Sequence, residues 1–304
     1  MLQTKTVGQQ FHIYIQKDWE KYTIESLFKD YWKAPKKLVH ELRMEKSVLV
    51  NGQEANWTSH FHSGDTLSIP FFLPEPSIVQ PTYIEIDILF EDDHLLIANK
   101  PAGMDTHPNS EKDYFSLLNG VAFHLHSKGE LHYIKHIHRL DRDTTGAVIF
   151  AKHRMCGAIL DRLLEERKIK RTYVALVEGK MKTSGGSISK PIGRDRHHPT
   201  RRRVSSTGQS AVTHYKVHAY SAKNNTTLIS CQLDTGRTHQ IRVHLSSIGH
   251  PLMGDSLYGS RVKLKRQALH AFKVEFTHPF TEENIVCKAP FVDNPSIFPD
   301  IIDV

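Results

Sequence analysis

The segment KHIHRLDRDTTGAVIFAK, residues 135–152, changes abruptly from charged residues to an apolar run that begins at Gly146. This run predicts a buried strand, because strands covered on both faces read as continuous apolar sequence. Asp141 therefore lies just before a buried strand, between Arg139 and Arg142. Nearby guanidinium groups favour an ionised carboxylate, which is the form that acts as a nucleophile or a base. A structural ion pair at the strand entrance is the alternative.

Further apolar runs, separated by turns, occupy the chain after about Ile84. They include IEIDILFEDDHLLIANK, GAVIFAK, TYVALVEGK and TTLISCQLDTG. The pattern predicts a mixed α+β domain over residues 84–304 that is rich in antiparallel strands. Apolar residues at helical spacing predict one helix over His153–Lys168 and another at about Thr238–Ser247, with Gly249 as the C-terminal cap of the second.

Residues 11–70 are predicted to form a separate, small α/β unit. FHIYI predicts a strand, and apolar spacing predicts helices over Thr23–Trp32 and Ala34–Arg43. Asn51-Gly52 suits a hairpin turn, because both residues tolerate positive φ. The prolines of PFFLPEPSIVQP disfavour helix and central strand, so residues 71–83 are interpreted as a linker between two domains.

The composition of the 304-residue chain, with 39% hydrophobic and 24% charged residues, is that of an ordinary globular protein. A formal net charge of +7 weakly favours a polyanionic partner. Three scattered cysteines without a C-x-x-C pair argue against a disulfide framework and a thiolate zinc site. The N-terminus lacks a secretion-signal pattern and no apolar run reaches membrane-spanning length, so we expect a cytoplasmic protein without a membrane partner.

A second polar segment, LDTGRTHQIRVHLSSIGHPLMGDSLYG, concentrates hydrogen-bonding side chains around one turn and a helix start. Backbone donors at a helix N-terminus, together with two guanidinium groups, predict a phosphate site there. An ordinary charged surface helix is the alternative. The candidates for substrate contacts in this turn are Thr238, His239, Gln240 and Arg242.

Basic residues are concentrated in two other places. An arginine-rich, loop-like stretch can follow a phosphate backbone without reading its sequence, although such stretches are more often solvated loops. The second helix of the N-terminal unit also carries basic residues on its face and at its end. The predicted RNA contacts are Arg194, Arg196, Arg201, Arg202 and Arg203 in the loop, and Lys36, Lys37, Arg43 and Lys46 in the unit.

Histidine pairs at His124-x-His126 and His136-x-His138 raise the question of a metal, with two imidazoles on one strand face. No carboxylate stands at a zincin spacing, and thiolate pairs are absent, so we expect no metal. Motifs for a serine nucleophile, a phosphate-binding loop and a dinucleotide site are also missing from the sequence. We therefore expect no cofactor.

Five sequence segments together resemble a known family. In order they are NKPAGMDTHP (99–108), HRLDRDTTGAVIFAK (138–152), KRTYVALVEG (170–179), TGRTHQIRVHLSSIGHPLMGD (235–255) and RQALHAFKVEFTHP (266–279). They resemble the successive motifs of the RluA family of pseudouridine synthases, whose H-R-L-D-R-x-T-[ST]-G motif is highly specific. The element order of residues 11–70 resembles the RNA-binding module first known from ribosomal protein S-four, which commonly precedes this catalytic domain.

The resemblance implies an enzyme that isomerises uridine in RNA. The N-glycosidic bond breaks, the uracil turns, and a carbon of the base is joined to the ribose, with no cofactor. By motif, Asp141 is the catalytic carboxylate, Tyr173 stacks on the base and Arg242 pairs with Asp141. Arg139 is expected to help flip the nucleotide out of its stack, and Leu140 to contact the substrate.

Several alternatives stay open at this point. A non-catalytic RNA-binding clamp and a glycosidic-bond hydrolase are the rival functions, and the hydrolase would require a second, proton-donating carboxylate. Asp141 is able to attack the ribose or the base, or to remove a ribose proton. Large-subunit ribosomal RNA is the expected substrate, with transfer RNA as the alternative, and a monomer is the expected oligomeric state.

Overall fold

The N-terminal sheet is built from five short antiparallel strands, in the spatial order β1-β2-β5-β3-β4. The computed structural model describes residues 3–130 and 133–299, so residues 300–304 of the predicted second domain lie outside it. In chain order the strands are β1 (Gln3–Val7), β2 (Gln10–Tyr14), β3 (Leu49–Val50), β4 (Gln53–Glu54) and β5 (Thr66–Ile69). The sheet thus begins before residue 11, the predicted start of the unit. Strand β1 was not predicted because it is an edge strand with no buried residue and leaves no apolar pattern.

Two helical segments complete the N-terminal unit. Helix α1 (Ile24–Ser26) begins after Thr23, whose side chain caps the backbone N–H of Ser26, and continues as a wider π-helical segment, Leu27–Tyr31. Helix α2 (Lys36–Met44) begins after Pro35. Both predicted helices are confirmed to within two residues. The predicted hairpin turn is also confirmed, since Asn51 and Gly52 both have positive φ between β3 and β4.

The second sheet has ten strands, and a separate hairpin has two. The strands are β6 (Asp87–Glu91), β7 (Leu95–Lys100), β8 (Lys135–His136), β9 (Thr145–Ala151), β10 (Lys170–Glu178), β11 (Gly185–Ser189), β12 (Ile192–Arg194), β13 (Arg202–Val204), β14 (Val212–Ser221), β15 (Thr226–Leu233), β16 (Leu269–Thr277) and β17 (Asn284–Lys288). The main path is β11-β14-β15-β10-β16-β9-β7-β6, with β8 beside β9 and β17 beside β16. The β9–β16 pair is parallel and the other described pairs are antiparallel, which confirms the predicted α+β class.

Three helices accompany this sheet: α3 (Leu117–Ser127), α4 (Arg154–Glu165) and α5 (Gln240–Ser246). Helix α4 ends three residues before the predicted limit, and Arg167 just after it has a left-handed φ of 60°. Helix α5 begins two residues late because His239 also has a left-handed backbone, with φ of 58°. Within residues 3–130 and 133–299, no helix is long and apolar enough to cross a membrane.

Strand β9 is buried on both faces, as its continuous apolar run predicts. Ala147, Ile149 and Ala151 face one hydrophobic cluster, whereas Val148 and Phe150 face another. This division follows the period of two in a strand. The first cluster includes α4 and the N-terminal unit, and the second includes α3 and α5. The core therefore sits on both sides of the central strands.

The N-terminal unit shares a core with the second sheet rather than being joined only by a chain. Phe11 contacts His94 edge-on at 4.6 Å between ring centroids, and it lies 5.5 Å from Phe280. Residues 71–83 contain no helix or strand, yet Phe71 at their start stacks on His153 at 4.5 Å. The predicted linker is thus irregular in backbone but packed into this core at its beginning.

Gly146 permits the close approach of β9 to β16. It has a φ of +114°, and a Cβ added there would lie 2.3 Å from the carbonyl oxygen of Ala271. Both observations exclude a larger residue, because L-residues avoid this φ and the backbone atom cannot move aside. The glycine that ends the charged segment is therefore what allows the two strands to pair.

Replacing Gly146 by Ala should lower the free energy of unfolding by roughly 3 kcal/mol, which combines backbone strain with overpacking. Gly249→Ala is the matched control, since Gly249 has a φ of +85° but open space around it. We expect a loss of roughly 1 kcal/mol there, from backbone strain alone. Urea unfolding measures both variants, and equal losses would show that the contact with Ala271 does not matter.

Candidate active site

The loop that carries Asp141 is fixed by the turn before β9 and by a neighbouring loop. The backbone N–H of Thr144 donates to the carbonyl of Asp141 at 3.0 Å, which closes the turn. The hydroxyl of Thr106 accepts from the N–H of Leu140 at 3.0 Å and donates to its carbonyl at 3.1 Å. Leu140 is buried while Arg139 is exposed, so the loop alternates between anchoring and outward-facing residues.

A buried lysine also binds the loop that carries Asp141. Lys100 Nζ donates to the carbonyls of Pro101, Met104 and Arg142, at 2.9, 2.6 and 2.8 Å. Burial lowers the pKa of Lys100 to about 7, although the nearby negative charges of Asp105, Asp141 and Asp143 act to raise it. Lys100 lies in the NKPAG segment, but its role was not predicted, because a set of three carbonyls has no trace in sequence.

Arg242 lies at the centre of the site, on α5. Its Nη1 donates to Asp141 Oδ2 at 3.0 Å, while Nε and Nη2 donate to the two carboxylate oxygens of Asp255 at 2.7 and 2.9 Å. Burial lowers the pKa of Arg242, but hydrogen bonds and charges from Asp255 and Asp141 outweigh burial and raise it. The guanidinium is therefore a fixed positive charge facing Asp141.

This geometry bears on two expectations from the sequence. The guanidinium that contacts Asp141 belongs to Arg242, which is the pairing that the family motif implies, whereas the flanking Arg142 lies 3.8 Å from Asp105 and the flanking Arg139 is exposed. Three N–H donors of Arg242 already bind carboxylates, so this arginine is poorly suited to the phosphate site predicted in the 233–259 segment. Asp255 was not predicted, since its 13-residue separation from Arg242 crosses a helix and two glycine turns.

His239 is the second side chain that approaches Asp141. Its Nε2 lies 4.0 Å from Asp141 Oδ2, and its Nδ1 is 2.8 Å from the hydroxyl of Tyr258. Burial lowers the pKa of His239, which favours the neutral imidazole. The left-handed backbone at this histidine, which is uncommon outside glycine, marks a position held by its surroundings.

Tyr173 supplies an aromatic face to the same cavity. It is 4% exposed, on β10, where the pairing with β16 shifts register between Thr172 and Tyr173. Such a bulge redirects a side chain. Ala271 of β16 pairs with Tyr173 on one side and Gly146 on the other, so the sheet register brings the tyrosine near the Asp141 loop. Burial raises the pKa of Tyr173, which keeps its hydroxyl neutral.

A cavity of about 570 Å³ lies between these groups, a size that suits a small ligand. Arg139 lines it, and so do Arg237, one of the two guanidinium groups of the predicted phosphate site, and two arginines without an earlier assignment, Arg167 and Arg171. A nucleotide inserted here would meet a carboxylate, an aromatic ring and a positively charged rim. All the sequence candidates of the three central motifs line this cavity: Arg139, Leu140, Asp141, Tyr173, Thr238, His239, Gln240 and Arg242.

Gln240 lines the cavity with a side-chain amide that is already bonded within the protein. Its Oε1 accepts from the hydroxyl of Thr235 at 2.7 Å and the N–H of Arg237 at 3.0 Å. Its Nε2 donates to the carbonyl of Val212 and the hydroxyl of Thr213. We therefore assign Gln240 to shaping the loop rather than to binding substrate.

The basic residues predicted to contact RNA are not among those that line the cavity. Four arginines of the β12–β13 hairpin are exposed and Arg202 is half-buried, while Arg201 pairs with Asp195 at 2.6 Å. In the N-terminal unit, Lys37, Arg43 and Lys46 are exposed but lie within 4.0 Å of glutamates. Lys36 is also exposed. The positive face of the unit is thus partly neutralised by its own carboxylates.

The histidine pairs do not form a metal site in the described part of the chain, where no group of three or more His, Cys, Asp or Glu residues could hold an ion. His124 and His126 lie on α3 rather than on a strand. His124 contacts Glu91 at 2.7 Å, and His136 stacks on His107. These contacts give His124 and His136 structural partners.

Comparison with known families agrees with this site. The profile of the RNA pseudouridylate synthase family matches residues 94–247, which contain the Asp141 loop, Tyr173 and Arg242. The chain belongs to this family. The predicted RluA-type pseudouridine synthase, an isomerase, is therefore confirmed. A second profile, that of the RluD ribosomal pseudouridine synthase N-terminal domain, matches residues 11–67.

Individual relatives of this pseudouridine synthase cover most of its length. The uncharacterized RNA pseudouridine synthase YhcT of Bacillus subtilis is 50% identical over 285 residues, which are 93% of this chain and 94% of that protein. The ribosomal large subunit pseudouridine synthase D of Nitrosomonas europaea is 43% identical over 226 residues, or 71% of this chain and 64% of that protein. The solved human RNA pseudouridylate synthase domain containing 1 is 26% identical, with a TM-score of 0.56, over 71% of this chain and 86% of that one.

Replacing Arg242 by Ala should lower the free energy of unfolding by roughly 3–5 kcal/mol, because it leaves the buried carboxylate of Asp255 without its partner. Arg154→Ala is the control, since Arg154 binds Glu75 in the same two-bond manner at the surface. We expect about 1 kcal/mol or less for that pair. Urea unfolding compares the two, and a similar small loss in both would contradict the buried pairing.

Proposed function

We propose that this pseudouridine synthase acts on uridine in large-subunit ribosomal RNA, with Asp141 as its catalytic carboxylate and without a cofactor. The observation that carries the proposal is the placement of Asp141, bound by Arg242, in one cavity with the buried ring of Tyr173. Arg242 holds a fixed positive charge 3.0 Å from Asp141 Oδ2. An aromatic face beside it offers a stacking surface for a base that has left its helix.

The chemistry requires no added group. The bond between N1 of uracil and C1′ of the ribose breaks, a bond between C5 and C1′ forms, and the proton on C5 is lost while N1 gains one. Atoms and electrons balance within one nucleotide. Asp141 acts on the ribose or on the base, as a nucleophile or as a proton acceptor, and each of these roles needs the ionised carboxylate that Arg242 stabilises.

Access to the cavity requires the nucleotide to leave its stack. We propose that Arg139, exposed at the cavity rim, takes the place of the flipped base, and that Tyr173 stacks on the uracil. Leu140 and Thr238 line the same space as Asp141. The exposed arginines of the β12–β13 hairpin are proposed to bind the phosphate backbone around the target.

The choice of RNA rests on relatives. Proteins named ribosomal large subunit pseudouridine synthase D match both halves of the chain, which supports ribosomal RNA over transfer RNA. We also propose the division into an S-four-type module (11–70), a linker (71–83) and a catalytic domain (84–304). We further propose a monomer that acts in the cytoplasm, where a substrate in ribosomal RNA would be met.

A hydrolase is the less favoured function. Cleavage of a glycosidic bond by two carboxylates needs one that is free to donate a proton. Asp255 is the carboxylate that Arg242 brings close to Asp141, and both of its oxygens accept from that arginine. It therefore supplies no proton to a leaving group, and Asp141 has no carboxylate partner of the required kind within this ion-pair network.

The test is an assay on ribosomal RNA fragments for pseudouridine, free uracil and bound RNA. Wild-type protein should form pseudouridine, and Asp141→Asn should bind RNA with similar affinity but retain less than about 1% of the rate, since removal of an essential group commonly lowers rates by several powers of ten. Asp30→Asn makes the same change at an exposed position and should keep full activity. Free uracil would indicate a hydrolase, and binding without turnover would indicate a clamp.

A further inference from the structure

Tyr258 joins three parts of the molecule through one side chain. It lies in a short helical turn, Ser256–Tyr258, and is 8% exposed. Its hydroxyl accepts from the backbone N–H of Arg202 in the β12–β13 hairpin at 2.9 Å, and it is 2.8 Å from His239 Nδ1. The hairpin that carries the exposed arginines is thus tied to a residue beside Asp141.

The hydroxyl of Tyr258 is placed to select the tautomer of His239. A phenol has one proton, and because the N–H of Arg202 donates to its oxygen, that proton is available to Nδ1. When Nδ1 accepts it, a neutral imidazole carries its own proton on Nε2. Nε2 is the ring nitrogen that lies 4.0 Å from Asp141 Oδ2.

The ring of Tyr258 supports the other partner of Asp141. The guanidinium carbon of Arg242 lies 5.0 Å from the ring centroid, and the ring of His239 meets it edge-on at 5.7 Å and 87°. A cation over an aromatic face is attracted by the ring. One tyrosine therefore touches both groups that approach the carboxylate, although it does not itself contact Asp141 in the described hydrogen bonds.

We propose that Tyr258 is a positioning residue for the isomerisation, which holds His239 in its left-handed conformation with Nε2–H directed at Asp141. This inference rests on the proposed role of Asp141. The competing explanation is purely structural, since Tyr258 also packs in a small cluster with Ile192, Ala211 and Val243. The two explanations differ in what the hydroxyl does, because the cluster needs only the ring.

Tyr258→Phe keeps the ring, its packing and its contact with Arg242, and removes only the hydroxyl. The single-turnover rate constant should fall roughly fivefold to tenfold, about the effect of one hydrogen bond, while the Kd for RNA changes by less than about twofold. Tyr215→Phe is the matched control, since its hydroxyl bonds Thr183 Oγ1 at 2.9 Å and Tyr215 is not among the residues that line the cavity. That variant should keep the wild-type rate.

A double-variant comparison tests whether Tyr258 acts through His239. His239→Asn removes the imidazole with a residue that tolerates positive φ, so the backbone is not strained further. In that background, Tyr258→Phe should have no further effect on the rate. Independent, multiplying effects would overturn the inference, and so would a wild-type rate in Tyr258→Phe alone. A wild-type protein that forms no pseudouridine would instead refute the proposed function.

Discussion

The guanidinium of Arg242, buried between the carboxylates of Asp255 and Asp141, is the interaction on which the site depends. Charges leave water at a large free-energy cost, and they are tolerated only when their partners are well placed. The two bonds to Asp255 orient the guanidinium, so that Nη1 faces Asp141. This one group connects the loop before β9, helix α5 and the turn that follows α5.

The sheet supplies the rigid frame for that ion pair. Strands β7 and β9 are covered on both faces, which fixes their register, because a slip of one residue would exchange the two hydrophobic clusters. Gly146 then lets β9 meet β16, and the bulge at Tyr173 directs the ring toward the same cavity. Lys100 completes the support by binding three carbonyls around the Asp141 loop.

Features that depend on near neighbours were predictable from the sequence. The buried strand β9, helix α4 and the Asn51-Gly52 turn each follow from local periodicity or backbone preference. Helix α3 was missed because Gly120 in its interior weakens the helical pattern. The structure explains this glycine, since a Cβ there would lie 3.1 Å from the side chain of Ile86.

Contacts between distant segments were not predictable from the residues alone. The sequence pattern placed Arg242 in a phosphate site, whereas Asp255 and Asp141 bind this arginine, and no local pattern shows which charge a buried arginine meets. The left-handed His239 shortened α5 for a similar reason, since its imidazole is held by Tyr258. The assignments of Asp141, Tyr173 and Arg242 came from family motifs, which record such three-dimensional contacts indirectly.

Whether Asp255 and Arg242 together hold Asp141 in its active position is tested most directly by the single-turnover rate of Asp255→Asn. The rate is measured on a ribosomal RNA fragment, at a temperature where the variant is folded. Asp255 binds Arg242 and is not among the residues that line the cavity, so we attribute a loss of rate to the guanidinium. We predict a fall of at least about tenfold with the Kd for RNA unchanged, because the amide no longer orients Arg242 toward Asp141. A wild-type rate in a folded Asp255→Asn protein would contradict the account.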